Sequence, residues 1–178
     1  SELARSFGVS DTTVRRYLDI LSATFVLRVL PPWFENLGKR QVKSPKVYVS
    51  DSGILHSLLG IGSRRDLERH PKLGASWEGF GIEQVVSRLR ARRDECHFWR
   101  THGGAELDLL VVRGGRRLGF EIKRTVAPSL TPSMRSAVAD LALERLDVVH
   151  AGTATFWLAP KVRAVALSRL LDDLEPLP

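Results

Sequence analysis

Cysteine is nearly missing from this 178-residue chain: only Cys96 is present. That excludes a disulfide framework and a cysteine-rich zinc site, and a reducing cytoplasm is the default expectation. No apolar run approaches the roughly 20 residues that a bilayer-spanning helix needs. No charged-then-apolar leader with a small-residue cleavage site opens the sequence. The phosphate-cradling pattern G-x-x-x-x-G-K-[ST] is missing too, so these residues are not expected to bind ATP. There is no internal repeat and no low-complexity tract. The chain begins at Ser1 without a methionine, and its first seven residues already read as helix, so a fragment of a longer protein is expected.

Basic side chains are abundant: 27 Lys and Arg against 20 Asp and Glu give a formal charge of +7. A basic balance favours polyanions, through phosphate contacts and counterion release. Nucleic acid is the natural partner class, with DNA favoured. A solvated arginine-rich surface remains the alternative.

The N-terminal part, residues 1–50, reads as a winged helix-turn-helix whose first helix would lie upstream. Residues 1–7 form a one-sided helix, broken at Gly8-Val9-Ser10. Ser10 or Asp11 caps a second helix with the stripe Val14, Leu18 and Leu21. Two β-prone runs follow at 24–30 and 46–49, joined by a basic loop holding Lys39, Arg40 and Lys43. In such a motif Thr12, Thr13, Arg15 and Arg16 face a nucleic-acid groove. A packing module on the same scaffold is the alternative, and only Arg15, Arg16 and the loop cations favour nucleic acid over it.

Residues 51–73 read as a short helix at 51–60 and a polar connector. From 74 to 178 the order is a helix (75–92), a strand (97–101), two strands (105–112 and 116–123) and a helix (131–146) capped by Thr131 with Pro132 at its first position. Strands near 147–150, 155–158 and 162–166 precede a last helix at 168–174. The fold class is α/β, with helices layered on a central mixed sheet.

Gly114-Gly115 between two strands signals a two-residue turn, since both positions tolerate positive φ. Cross-strand partners then sum to 229. Asp108 falls opposite Glu121, and Glu106 opposite Lys123, all on one face by the period-2 rule. Leu107, Leu109, Val111, Phe120 and Ile122 line the other face. Opposed carboxylates roughly 5 Å apart repel, so a proton, Lys123 or a divalent cation must offset them. Oxygen donors at this spacing suit Mg²⁺ or Mn²⁺; without a thiol or paired histidines nearby, zinc is not expected. The helix adds Glu78, within the stripe of Ile82, Val85, Val86 and Leu89, whereas Glu83 points to solvent. The bland alternative is a surface salt bridge of Lys123 with Glu121 or Glu106.

Glu78, Asp108 and Glu121-Ile122-Lys123 resemble the PD-(D/E)XK motif of the restriction-endonuclease-like superfamily. Leu107 stands where the motif's name has proline, a variable position. The resemblance implies an α/β/α nuclease-like domain in which Glu78, Asp108 and Glu121 hold Mg²⁺ or Mn²⁺. It also implies that Lys123 acts beside the scissile phosphate. A longer match runs through Val14-Arg15-Arg16-Tyr17-Leu18, Leu30-Pro31-Pro32 and Asn36-Leu37-Gly38-Lys39-Arg40. It continues through Lys43-Ser44-Pro45-Lys46-Val47-Tyr48, Asp51-Ser52-Gly53-Ile54, Trp77-Glu78, Arg100-Thr101, Gly104-Ala105-Glu106-Leu107-Asp108 and Glu121-Ile122-Lys123. This order is similar to the C-terminal domain of unknown function that follows the ATPase core in many prokaryotic AAA-type proteins. That resemblance implies an N-terminal P-loop ATPase in the full-length chain. Either Mg²⁺-dependent phosphodiester hydrolysis or a non-catalytic binding or assembly module would fit it.

Overall fold

The computed structural model of the chain describes residues 2–35 and 44–178. Lys39, Arg40 and Lys43 therefore lie outside the described residues. The N-terminal helices are α1 (Glu2–Phe7) and α2 (Asp11–Ala23), the second capped by the Ser10 hydroxyl, which accepts from the Thr13 N–H. Strands β1 (Leu27–Leu30) and β2 (Lys46–Val49) pair antiparallel, from Leu27 opposite Val49 to Leu30 opposite Lys46. The expected stripe on α2 does not become a core: no residue of that helix is buried, and Leu21 is exposed. Phe7, Tyr17 and Phe25 are each more than 60% exposed, so this part holds little apolar interior of its own. It is carried instead by the rest of the chain. Pro32 bridges Phe98, the Trp33 N–H donates to the Phe98 carbonyl, and Arg28 pairs with Glu83 (Nη2–Oε2 2.8 Å).

The connector is more ordered than its polar composition suggested. After α3 (Ser52–Leu58), Ser63 caps a further helix, α4 (Arg64–Arg69). Then come α5 (Leu73–Leu89), β3 (Cys96–Arg100), β4 (Glu106–Arg113), β5 (Arg116–Lys123), α6 (Pro132–Asp140), β6 (Arg145–His150), β7 (Phe156–Ala159), β8 (Val162–Ala166) and α7 (Leu170–Asp173). Helix α6 starts where Thr131 and Pro132 predict but ends earlier than 146. Ala142 turns left-handed (φ 49°) and the Leu143 N–H folds back onto the Val138 carbonyl, freeing the following residues for β6.

The six strands form one mixed sheet, ordered β3-β4-β5-β6-β8-β7. The β5–β6 and β6–β8 pairs are parallel and the others antiparallel. A parallel β5–β6 pair needs a crossover, which α6 supplies. Both faces are core. Ile82, Val85, Val86 and Leu89 of α5, with Leu170 of α7, pack on Leu109, Val111, Phe120 and Ile122. Met134 and Ala137 of α6 pack on Leu107, Leu110, Leu146 and Val148. Helix α5 comes close to β5 because residue 81 is glycine: a Cβ there would lie 2.7 Å from Cγ2 of Ile122.

Candidate active site

The β4–β5 hairpin turns at Gly114-Gly115, both at positive φ, and its partners sum to 229 from Arg113–Arg116 to Leu109–Phe120. The ladder stops there, one pair short of Asp108 and Glu121. On the other side of β4 the register slips: His97 pairs with Leu110, but Trp99 pairs with Leu107. Asp108 and Leu109 together thus face the single residue Phe98, a β-bulge. The slip has two consequences that strict alternation misses. Leu107 turns from the face of Leu109 to the opposite core, beside Leu110. Asp108 drops out of the ladder, and its carboxylate accepts the Ile122 N–H at 3.0 Å.

Four acids gather at this end of the hairpin, and the cation that joins three of them is not the one the sequence nominates. Lys46 of β2 sends its ammonium to Glu78 Oε1 (2.9 Å), Glu106 Oε1 (2.6 Å) and Asp108 Oδ1 (3.1 Å). Glu106, expected opposite Lys123, takes Lys46 and, more loosely, Arg100 (3.6 Å). Tyr48, two residues along β2 from Lys46, donates to the same Glu78 oxygen at 2.5 Å. Lys123 pairs with Glu121 Oε1 at 2.6 Å. The other Glu121 oxygen, Oε2, is buried without a hydrogen-bond partner. Glu83 is not a free solvent-facing acid: it is the partner of Arg28 on β1. Lys46 and Tyr48 stand within the matched Lys46-Val47-Tyr48 segment, yet nothing local marks them as site residues. They belong to the cluster only because β2 docks against α5 and β4.

The electrostatics follow from burial and sign. Burial, with the charges of Glu121 and Glu78 beside it, pushes the Asp108 carboxyl up to about 7, against the pull of Lys46 and the Ile122 N–H. Burial also raises Glu121, although Lys123 and Lys46 oppose the rise. Glu78 moves the other way: burial would raise it, but Lys46 and the Tyr48 hydroxyl outweigh that and hold it below the usual carboxylate range. Burial would lower both lysines, and the surrounding carboxylates raise them instead. The offset that opposed acids require is thus shared between a proton-avid Asp108, Lys123 and the unforeseen Lys46.

The donor set is all oxygen and includes a buried carboxylate oxygen with no partner, a chemistry that suits a hard divalent cation. Where three of the acids converge, however, stands the Lys46 nitrogen. Among the described residues no group of three or more acids, histidines or cysteines is spaced to hold a metal ion as it stands.

Arg15 and Arg16 are exposed on α2. A cavity of about 740 Å³ beside α5, lined by Trp77, Phe80, Arg88, His150, Gly152 and Leu170, contains none of the four acids.

Two family models match the chain. Residues 1–65 match a domain of unknown function, DUF8612. Residues 73–170, more than half of the chain, match another domain of unknown function, DUF4143. The chain belongs to the DUF4143 family. The match to DUF4143 spans α5 and β3–β8, and so carries Glu78, Glu106, Asp108, Glu121 and Lys123, whereas Lys46 and Tyr48 come from the DUF8612 segment. Two relatives are each 54% identical over 171 residues, which is 96% of this chain: Uncharacterized protein Mb2031c of Mycobacterium bovis and Uncharacterized protein Rv2008c of Mycobacterium tuberculosis. The chain spans 38% of the length of these curated relatives. No solved structure matches it. No helix among the described residues is long and apolar enough to cross a membrane.

Proposed function

We propose that the DUF4143 domain carries a metal-dependent phosphodiesterase site of the restriction-endonuclease-like type, acting on nucleic acid, and that residues 1–50 form a winged-helix-like unit presenting Arg15 and Arg16 to the same polymer. One observation carries the reading: Asp108 and Glu121 stand just past the last β4–β5 pair, Asp108 bound to the Ile122 N–H beside Glu121, with Lys123 held on one Glu121 oxygen and the other buried without a partner. Mg²⁺ or Mn²⁺ would be held by Asp108 and Glu121, with Glu78 as a ligand or through water. When bound, such an ion activates water and offsets charge on the phosphate. The protein's own groups do the rest. The Ile122 N–H fixes the orientation of Asp108, and the half-exposed Lys123 ammonium stabilises charge that develops on a phosphate oxygen. Arg100, half exposed beside Glu106, is a further backbone-phosphate contact. DNA is the favoured polymer, and an ATPase domain in the longer protein is the favoured partner.

The test is Mg²⁺- or Mn²⁺-dependent cleavage of plasmid DNA and of RNA. Asp108→Ala and Glu121→Ala should lower cleavage at least about 100-fold by removing ligands, and Lys123→Met should lower turnover as far while cation binding persists. A second reading, a non-catalytic nucleic-acid-binding or assembly module, is favoured by the three ion pairs that Lys46 makes where the acids converge. Absence of cleavage with either metal, both alone and in the full-length ATPase, decides for it.

A further inference from the structure

Lys46 makes three ion pairs with acids from two elements: Glu78 on α5, and Glu106 and Asp108 on β4. An ammonium has three N–H donors, so these contacts exhaust it. Its side chain is 20% exposed, and contacts of 2.6–3.1 Å hold its nitrogen between the three carboxylates. Its strand is anchored independently of that nitrogen. Tyr48 lies against Gly79, where a Cβ would come within 3.2 Å of its ring, and the Tyr48 hydroxyl holds Glu78. The lysine stem can therefore turn without dislodging β2. On the neighbouring strand, the buried Glu121 Oε2 still lacks a hydrogen-bond partner. A hard divalent cation takes its oxygen ligands at roughly 2.0–2.6 Å and carries twice the charge of an ammonium. An ion drawn to Asp108 and Glu78 would stand beside the ammonium charge in a half-buried site, so the two cations compete for the same carboxylates.

Resting on the phosphodiesterase reading, we propose that Lys46 is a built-in competitor for the divalent cation: its ammonium holds Glu78, Glu106 and Asp108 together in the metal-free protein and must leave for Mg²⁺ or Mn²⁺ to bind. The N-terminal unit, which contributes β2, thereby sets the metal affinity of the DUF4143 site.

Calorimetric titration of Mn²⁺ into wild type, Lys46→Gln, Lys46→Arg and Asp108→Asn tests this. Lys46→Gln should bind Mn²⁺ at least about tenfold more tightly than wild type, because a unit charge has left a half-buried site. Lys46→Arg should stay near wild type. With chelator Lys46→Gln should melt below wild type, since three acids have lost their counterion, and Mn²⁺ should raise its melting temperature by more than it raises that of wild type. If Lys46→Gln is too unstable, amine-reactive labelling of the wild-type protein gives the answer: saturating Mg²⁺ should increase modification of Lys46 several-fold. Equal or weaker Mn²⁺ binding in Lys46→Gln, or unchanged Lys46 labelling, with binding abolished in Asp108→Asn, overturns the competitor and leaves the metal site standing. No Mn²⁺ binding in either wild type or Lys46→Gln overturns both.

Discussion

Glu95, immediately before β3, shows how a single acid is buried in this chain. Its side chain is 4% exposed, and Arg113 reaches it with two nitrogens, at 2.8 and 2.7 Å, while the Arg92 N–H donates to Oε2 at 2.7 Å. The Arg113 hydrogen bonds, which outweigh the opposing effect of burial, hold its carboxyl at about 2. The folded value is depressed, so the stabilisation is complete above the unfolded value of roughly 4.3 and is lost as pH falls toward 2. Glu95→Gln should therefore destabilise the protein at neutral pH, with a melting-temperature gap from wild type that closes between about pH 4.5 and 2. A gap that stays constant over that range would show that packing, not charge, is what Glu95 contributes. The contrast with Asp108 is instructive. Both carboxyls are buried, but one meets a guanidinium with complete donor pairing and the other meets two further acids, so their proton affinities move in opposite directions.

At the scale of elements, the contact of α5 with β5 decides whether Glu78 can reach the hairpin. Gly81 makes that contact close, with Cγ2 of Ile122 2.7 Å from where a Cβ would stand. Ile122 is branched at that point and cannot swing aside cheaply. Alanine at position 81 gains up to about 1 kcal/mol of helix propensity but overpacks by roughly 1–3 kcal/mol. Gly81→Ala should thus lose about 1–2 kcal/mol in denaturant melts. Gly74, in the first turn of the same helix, has nothing within 4 Å, and Gly74→Ala should be neutral or stabilising by up to about 1 kcal/mol. The same sign for both substitutions would remove the close approach as the reason for glycine at 81. The β-bulge at Asp108–Leu109 is the second decisive element feature. It bends the strand out of register and re-aims Asp108, where a regular strand would have left it in the ladder.

For the whole molecule, a net charge of +7 with exposed Arg15 and Arg16 on α2 gives a long-range attraction to polyanions. If α2 lies along a nucleic-acid backbone, Arg15→Ala with Arg16→Ala should weaken binding of short duplex DNA. The double-logarithmic salt slope should become shallower by about 1 per residue. Unchanged affinity and slope would leave the N-terminal part as a packing unit. That part is joined to the rest through Arg28–Glu83, the Pro32–Phe98 bridge and the Lys46 cluster, so it is structurally continuous with the four acids.

The sequence by itself determined the features that rest on local rules. Gly114-Gly115 demanded a tight hairpin, Ser10 and Thr131 demanded helix starts, and the stripe of Ile82, Val85, Val86 and Leu89 demanded a buried helix face, because turn chemistry, capping and periodicity act within a few residues. The hairpin rule likewise set Asp108, Glu121 and Lys123 on adjoining strands, whereas Glu78 was joined to them through a family resemblance and an assumed helix packing. What the acids bind was not legible. The one-residue slip at Asp108–Leu109 depends on pairing with β3, Glu83 is neutralised by Arg28 from 55 residues away, and Lys46 lies 62 residues from Asp108 in sequence. Which cation satisfies a buried carboxylate is settled only when distant segments pack. The tertiary structure therefore decided that the acids meet a lysine from the N-terminal unit.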